Sequence, residues 1–117
     1  MRKIVEAVNK MIENSHLISN VIKEHDEYYF LYNNKTKWSI STEKNSSNDV
    51  ELMLYPDSNM TIEDLINTKN WNIINYVHYR AADFKTQEAT ETFNELFLIV
   101  KEKVYGIDSL LDDIIES

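Results

Sequence analysis

A histidine and an arginine that share one face of a predicted strand are the first candidates for chemistry. His78 lies two residues before Arg80, so in an extended segment both side chains point to the same side as Tyr76. Such a group could line a pocket for a small ligand or contact a carboxylate. A partly exposed sheet face, on which polar side chains bond one another, explains the same pattern, and we favour it. An enzyme or small-ligand module around His78 and Arg80 is kept as an alternative.

The other residues with chemical potential form no catalytic or metal-binding pattern. His16 and His25 are nine residues apart, which is not the i, i+4 spacing that places two metal ligands on one helical face. With one glycine and no cysteine, the chain has no glycine-rich phosphate loop, no thiolate site and no disulfide. No residue pattern implies a cofactor. We therefore expect a protein that is not an enzyme.

Acidic residues are concentrated in the second part of the chain. Residues 1–48 carry seven Lys or Arg and six Asp or Glu, a net charge of +1, whereas residues 49–117 carry five and fourteen, a net charge of −9. This balance disfavours direct nucleic-acid binding, because phosphates require a basic surface. It favours attraction to a protein with a basic surface, although solubility alone also explains it.

Acidic and apolar residues lie side by side on a predicted helix that begins at residue 86. Its glutamates project within a narrow arc opposite the apolar side, and two aliphatic residues fall beside that arc, which is typical of a contact surface. The terminal segment adds aspartates opposite its own apolar residues. The candidate partner-binding residues are Glu88, Glu91, Glu95, Leu98, Ile99, Glu102, Asp108, Asp112 and Asp113. A solvated helix face is the alternative interpretation.

Hydrophobic periodicity predicts the elements that position these residues. Helices are expected over 3–24, about 61–68, 86–105 and a short terminal segment from Ile107, with Gly106 ending the third helix. Strands are expected over 27–33, 36–42, 50–55 and 71–80, with a turn at Asn33 and Asn34 and a polar loop at 43–49. The strand over 71–80 is expected to be innermost and to pack against the long helix. The shared core is expected to contain Val77, Phe93, Leu96, Phe97 and Val100.

The predicted fold is a single α+β domain spanning residues 1–117, with the element order α-β-β-β-α-β-α-α. Short connections favour an antiparallel sheet of about four strands packed with helices. This order resembles that of small acidic secretion chaperones, with one strand after the short helix where theirs has two. The resemblance covers element order alone, and it implies a chaperone that binds an extended client.

These features favour a small acidic protein that acts by binding a protein with a basic surface. One such class is an inhibitor or immunity-type protein, encoded by a phage or mobile element, whose aligned carboxylates act as a nucleic-acid mimic and block a nucleic-acid-handling enzyme. A homodimer is left open.

The first ten residues lack the apolar region of a signal peptide, and the longest apolar run, 96–100, is too short to cross a bilayer. We therefore expect a cytoplasmic protein that makes no membrane contact.

Overall fold

An antiparallel sheet organises the computed structural model, which describes residues 2–42, 49–57, 59–69 and 71–117. The strands in this part of the chain are β1 (Ile18–Glu24), β2 (Glu27–Tyr32), β3 (Thr36–Thr42), β4 (Val50–Tyr55) and β5 (Val77–Arg80), and they pair in chain order. The helices are α1 (Lys3–Glu13), α2 (Ile62–Asn67), α3 (Gln87–Tyr105) and α4 (Ile107–Glu116). The predicted α+β class is confirmed, with five strands rather than about four.

The additional strand, β1, occupies the second half of the helix that was predicted over 3–24. The α1 helix ends at Glu13, because Asn14 leaves helical geometry and its side-chain amide donates a hydrogen bond to the carbonyl of Lys10 at 3.2 Å. A short 3₁₀ turn, Ser15–Leu17, then leads into β1. The predicted helix is therefore correct only in its first half.

A β-bulge in β1 explains the helix-like spacing of its apolar residues. The register with β2 shifts between Ser19 and Ile22, and Asn20 adopts a φ of 53°. Because a bulge adds one residue to a strand, Ile18 and Val21 both reach the main core although they are three positions apart. Ile22 joins the opposite face of the sheet. A spacing of three or four residues thus arises here from a bulged strand.

The helices α1 and α3 cover one face of the sheet and enclose the main core. Phe93, Leu96 and Val100 of α3 are fully buried in it, as predicted, and Phe97 packs against its border. Val77 does not join them, since it is 42% exposed, and the prediction that places it in the core is wrong.

Capping residues set the start of α2 and both ends of α3 close to their predicted positions. The Thr86 hydroxyl accepts a hydrogen bond from the Ala89 N–H at 3.1 Å at the start of α3, and Gly106 ends that helix with a φ of 63°. Thr61 and Asp64 form a capping box at the start of α2. These local signals fix where α3 begins and ends, and burial of Phe93, Leu96 and Val100 turns its opposite, acidic side to solvent.

The opposite face of the sheet carries a second cluster, covered by α2 and the segment that follows it. Its buried members are Tyr29, Tyr55, Ile62, Leu65 and Ile74. The side chains of Lys37 and Ser39 on β3 are also buried on this face, at 8% and 1% exposure. The alternation of polar and apolar residues over 36–42 predicts a solvated side that carries Lys37 and Ser39, and for these two residues the prediction is wrong.

The segment 71–80 differs most from its prediction. Only Val77–Arg80 forms a strand, and this strand lies at the edge of the sheet rather than innermost. Residues Trp71–Ile73 form a 3₁₀ turn, and Ile74 is buried in the second cluster. The side chain of Asn75 donates to the Asp57 carboxylate at 3.2 Å.

The predicted turn between β2 and β3 is confirmed. Asn33 and Asn34 have φ values of 54° and 53°, a conformation that asparagine tolerates better than most residues. The polar loop predicted at 43–49 lies outside the described residues from 43 to 48.

Candidate functional site

The solvent side of α3 presents the predicted carboxylates. We define the acidic arc as Glu88, Glu91, Glu95 and Glu102, all of which are exposed. Helical geometry places them opposite the fully buried Phe93. Gln87 donates a hydrogen bond to Glu91 at 2.8 Å, and within the described ranges no cationic side chain forms an ion pair with any of the four. The arc therefore presents four exposed carboxylates that, in the part of the chain described, are not held in ion pairs.

The two aliphatic residues predicted beside the arc have different environments. Leu98 is 55% exposed, and α4 does not cover it. Ile99 is partly buried and packs against the main core. The structure thus places Leu98 fully on the candidate surface and Ile99 at its border.

The α4 helix exposes four of its five large apolar side chains, and the fifth, Ile107, is partly buried. We define the apolar stripe as Leu110, Leu111, Ile114 and Ile115, which are 54%, 51%, 68% and 79% exposed. No residue of α4, which the structure describes in full, is buried. Helical spacing puts the stripe on one side and Asp108, Asp112 and Asp113 on the other. The sequence indicates this amphipathic pattern, but it does not show that the stripe is left uncovered.

A groove at the junction of α3 and α4 brings three predicted residues together. It has a volume of about 270 Å³ and is lined in part by Ile99, Glu102 and Asp108. Asp112 and Asp113 lie further along α4, beyond this groove.

The radius of gyration of the protein is 14.7 Å, against about 13 Å for a compact domain of this length. The wider radius fits a terminal helix that extends from the body of the protein.

His78 and Arg80 pair with carboxylates of β4 and its preceding residue. The Arg80 guanidinium lies 3.0 Å from Asp49 through Nη2 and 3.4 Å from Glu51 through Nε. The His78 Nε2 atom is 3.5 Å from the same Glu51 oxygen. Tyr76 instead lines a separate pocket. Polar side chains therefore bond one another on this sheet face, as we favoured from the sequence.

A polar network on the second sheet face was not predicted from the sequence. The Ser39 hydroxyl donates to Glu27 Oε2 at 2.6 Å and lies 2.8 Å from the Tyr55 hydroxyl, which itself donates to the same Glu27 oxygen at 3.4 Å. Burial raises the pKa of Tyr55 above its ordinary value and that of Tyr29 to about 12, and the Glu27 charge acts in the same direction on both. Three strands supply this network, so no spacing along the chain reveals it.

Comparison with other proteins supplies no relative from which a function could be inferred. No protein-family model matches the chain, and no curated protein or solved structure shows significant similarity to it. In the part of the chain that the structure describes, no group of three His, Asp or Glu side chains is arranged to hold a metal ion. Each helix in the described ranges is too short or too polar to span a bilayer.

Proposed function

We propose that the protein acts by binding another protein, as an inhibitor or immunity-type protein, through the acidic arc, Leu98 and the apolar stripe. The observation that carries this proposal is the apolar stripe, in which four large aliphatic side chains on one helix are each more than half exposed. Full burial of such a side chain is worth about 1.5–3 kcal/mol. Amphipathic helices with an open apolar side are suited to entering a hydrophobic groove on a partner.

The negative charge of α4 indicates that the partner has a basic surface. The α4 segment contains four acidic residues and no Lys or Arg. Pairing of α4 with a second copy would place two helices of net negative charge against each other with no cation on either, and repulsion between like charges opposes this arrangement. A groove bordered by Lys and Arg would pair with them. Proteins that handle nucleic acids carry basic surfaces of this kind for phosphate binding, and they form the preferred class of partner.

The test of this proposal replaces Ile114 and Ile115 with serine. The partner is captured by cross-linking to the parent chain, purified, and titrated by calorimetry against each variant. Folding should be retained because neither side chain is buried, and affinity should fall at least about tenfold, equivalent to about 1.4 kcal/mol. The matched control is Ile73→Ser with Val77→Ser, which changes two exposed aliphatic residues that lie outside α4. Full affinity in the Ile114→Ser/Ile115→Ser variant would contradict α4 as the binding element.

The edge strand favours a second candidate, a chaperone for an extended client. In the described part of the chain, β5 pairs only with β4, and Tyr76 and Val77 are 48% and 42% exposed. An extended segment could add to such an edge as a further strand. This candidate predicts the reverse outcome in the same experiment: Ile73→Ser with Val77→Ser weakens binding, and the α4 variant does not.

A further inference from the structure

A small pocket opens on the sheet face opposite α3, separate from the proposed protein-binding surface. It has a volume of about 270 Å³ and is lined by Glu27, Met53, Trp71 and Tyr76. Trp71 and Tyr76 are 40% and 48% exposed, so neither ring is closed off from solvent. Ligand pockets commonly span about 300–1,000 Å³, and this volume suits a head group or the end of a side chain.

The carboxylate in this pocket is fixed in position but carries no compensating charge. Glu27 is partly buried, and its Oε2 atom accepts hydrogen bonds from the Ser39 and Tyr55 hydroxyls at 2.6 and 3.4 Å. Hydroxyl donors orient a carboxylate without neutralising it. Among the residues that the structure describes, no Lys, Arg or His forms an ion pair with Glu27. Glu24 and Asp26 in the same hairpin add to the negative potential.

The remaining walls of the pocket suit a cation with an apolar surface. Indole and phenol rings attract cations through their electron-rich faces, by about 0.5–1 kcal/mol at exposed sites and more where water is excluded. The Met53 thioether adds a polarisable apolar wall, and its sulfur lies 3.5 Å from the Tyr55 hydroxyl. A fixed carboxylate beside two aromatic rings matches an alkylammonium group, which has a positive centre and apolar substituents.

We propose that the pocket formed by Glu27, Met53, Trp71 and Tyr76 binds an alkylammonium group. Two sources present this chemistry: a small choline-like molecule and a lysine side chain. The site does not depend on the proposed function, because the acidic arc and the apolar stripe contribute no residue to it.

The test follows the indole N–H signal of Trp71 in NMR titrations of the full chain. The chain has two tryptophans, and Trp71→Phe assigns the signals. Trp38 is an internal reference, since it is 6% exposed and its indole donates to Thr36 at 2.8 Å. Choline and Nα-acetyl-lysine methylamide should each give a saturable shift of the Trp71 signal in the millimolar range, and the tighter of the two identifies the source. The neutral choline analogue 3,3-dimethylbutan-1-ol should give a much smaller shift.

Substitution of Glu27 tests whether its carboxylate binds the alkylammonium group. Glu27→Gln removes the charge while keeping an oxygen that can accept from Ser39, and choline affinity should fall at least about fivefold. The matched control Glu24→Gln changes an acid of the same hairpin that does not line the pocket, and affinity should stay within about twofold. Unchanged affinity in Glu27→Gln, or equal shifts from choline and its neutral analogue, would overturn the proposal. If Glu27→Gln does not fold, Tyr76→Leu at an exposed ring provides the same decision.

Discussion

At the residue scale, Tyr55 connects the second sheet face to the pocket carboxylate. Its side chain is only 2% exposed, and its hydroxyl contacts both Ser39 and Glu27. Ionisation of this tyrosine would place a second negative charge beside Glu27 where water cannot screen it. Burial and the nearby carboxylate therefore hold the pKa of Tyr55 above its ordinary value, and the same causes raise the pKa of Tyr29 to about 12.

These raised pKa values predict a loss of stability at alkaline pH. In the unfolded chain tyrosine ionises near pH 10, whereas the folded protein keeps Tyr29 and Tyr55 protonated to higher pH. The unfolded state then binds fewer protons, so the free energy of unfolding should fall as pH rises above about 10, and be unaffected by these groups below it. Urea unfolding at pH 8 and pH 11 measures this fall.

Tyr55→Phe should make the alkaline fall shallower, because it removes one of the tyrosines whose pKa is raised by burial. Tyr76→Phe is the matched control, since it deletes the hydroxyl of a ring that is 48% exposed, and it should retain the parent slope. Equal slopes for the parent and Tyr55→Phe would show that Tyr55 does not carry the effect.

At the element scale, the two phenylalanines of α3 should differ in their contributions to stability. Phe93 is fully buried, and the centroids of its ring and the Phe84 ring are 5.7 Å apart. Phe97 lies at the core border, where its ring centroid is 5.6 Å from that of Tyr28. Phe93→Ala should cost about 3–5 kcal/mol, because it leaves a closed cavity. Phe97→Ala should cost less, since solvent can reach the vacated space. Urea unfolding of both variants measures the difference, and an equal or larger loss for Phe97→Ala would contradict this placement of α3.

Local signals in the sequence predict α3 and α4 well. The apolar period from Ala89 to Val104, the capping Thr86 and the single glycine at 106 lie within one continuous segment, so no distant contact is needed to interpret them. The same local reasoning gives the wrong element for the segment that forms β1. Its bulge gives Ile18 and Val21 a helical spacing, and only pairing with β2 shows that the segment is extended.

The candidate sites differ in predictability for the same reason. The acidic arc lies on one helix, so the period of α3 alone places its four carboxylates on the solvent side. The Glu27, Ser39 and Tyr55 network joins three strands, and Ser39 has the alternation of a solvated position although it is buried. Exposure of the apolar stripe depends on what packs against α4, which is a property of the whole fold.

At the scale of the whole molecule, the two proposed sites lie on opposite faces of one sheet. The α3 helix, which presents the acidic arc and leads into α4, packs on the face with the main core. The alkylammonium pocket lies on the face with the second cluster, where Met53 belongs to both the pocket and the cluster. The two sites share no residue, so substitutions in one leave the lining of the other unchanged.

The net charge of −8 predicts that association with a basic partner depends on ionic strength. Exposed charges are screened within about 10 Å at 0.1 M salt, so raising the salt concentration should weaken the complex, mainly through a slower association rate. Replacing Glu91 and Glu95 of the acidic arc with lysine should act in the same direction. Folding should be retained, because exposed substitutions usually change stability by about 0.5 kcal/mol or less.

The matched control for this charge reversal is Glu6→Lys with Glu63→Lys, which changes the net charge equally at exposed positions on α1 and α2. Stopped-flow association at low and high salt distinguishes a local effect from a global one. If the acidic arc steers the partner, Glu91→Lys with Glu95→Lys should slow association more than the control does, and high salt should remove most of the difference. Equal slowing in both variants would mean that net charge alone sets the rate. No slowing in either variant, together with an affinity that does not depend on salt, would leave the acidic arc as a solvated helix face and the apolar stripe as the part of the surface that binds.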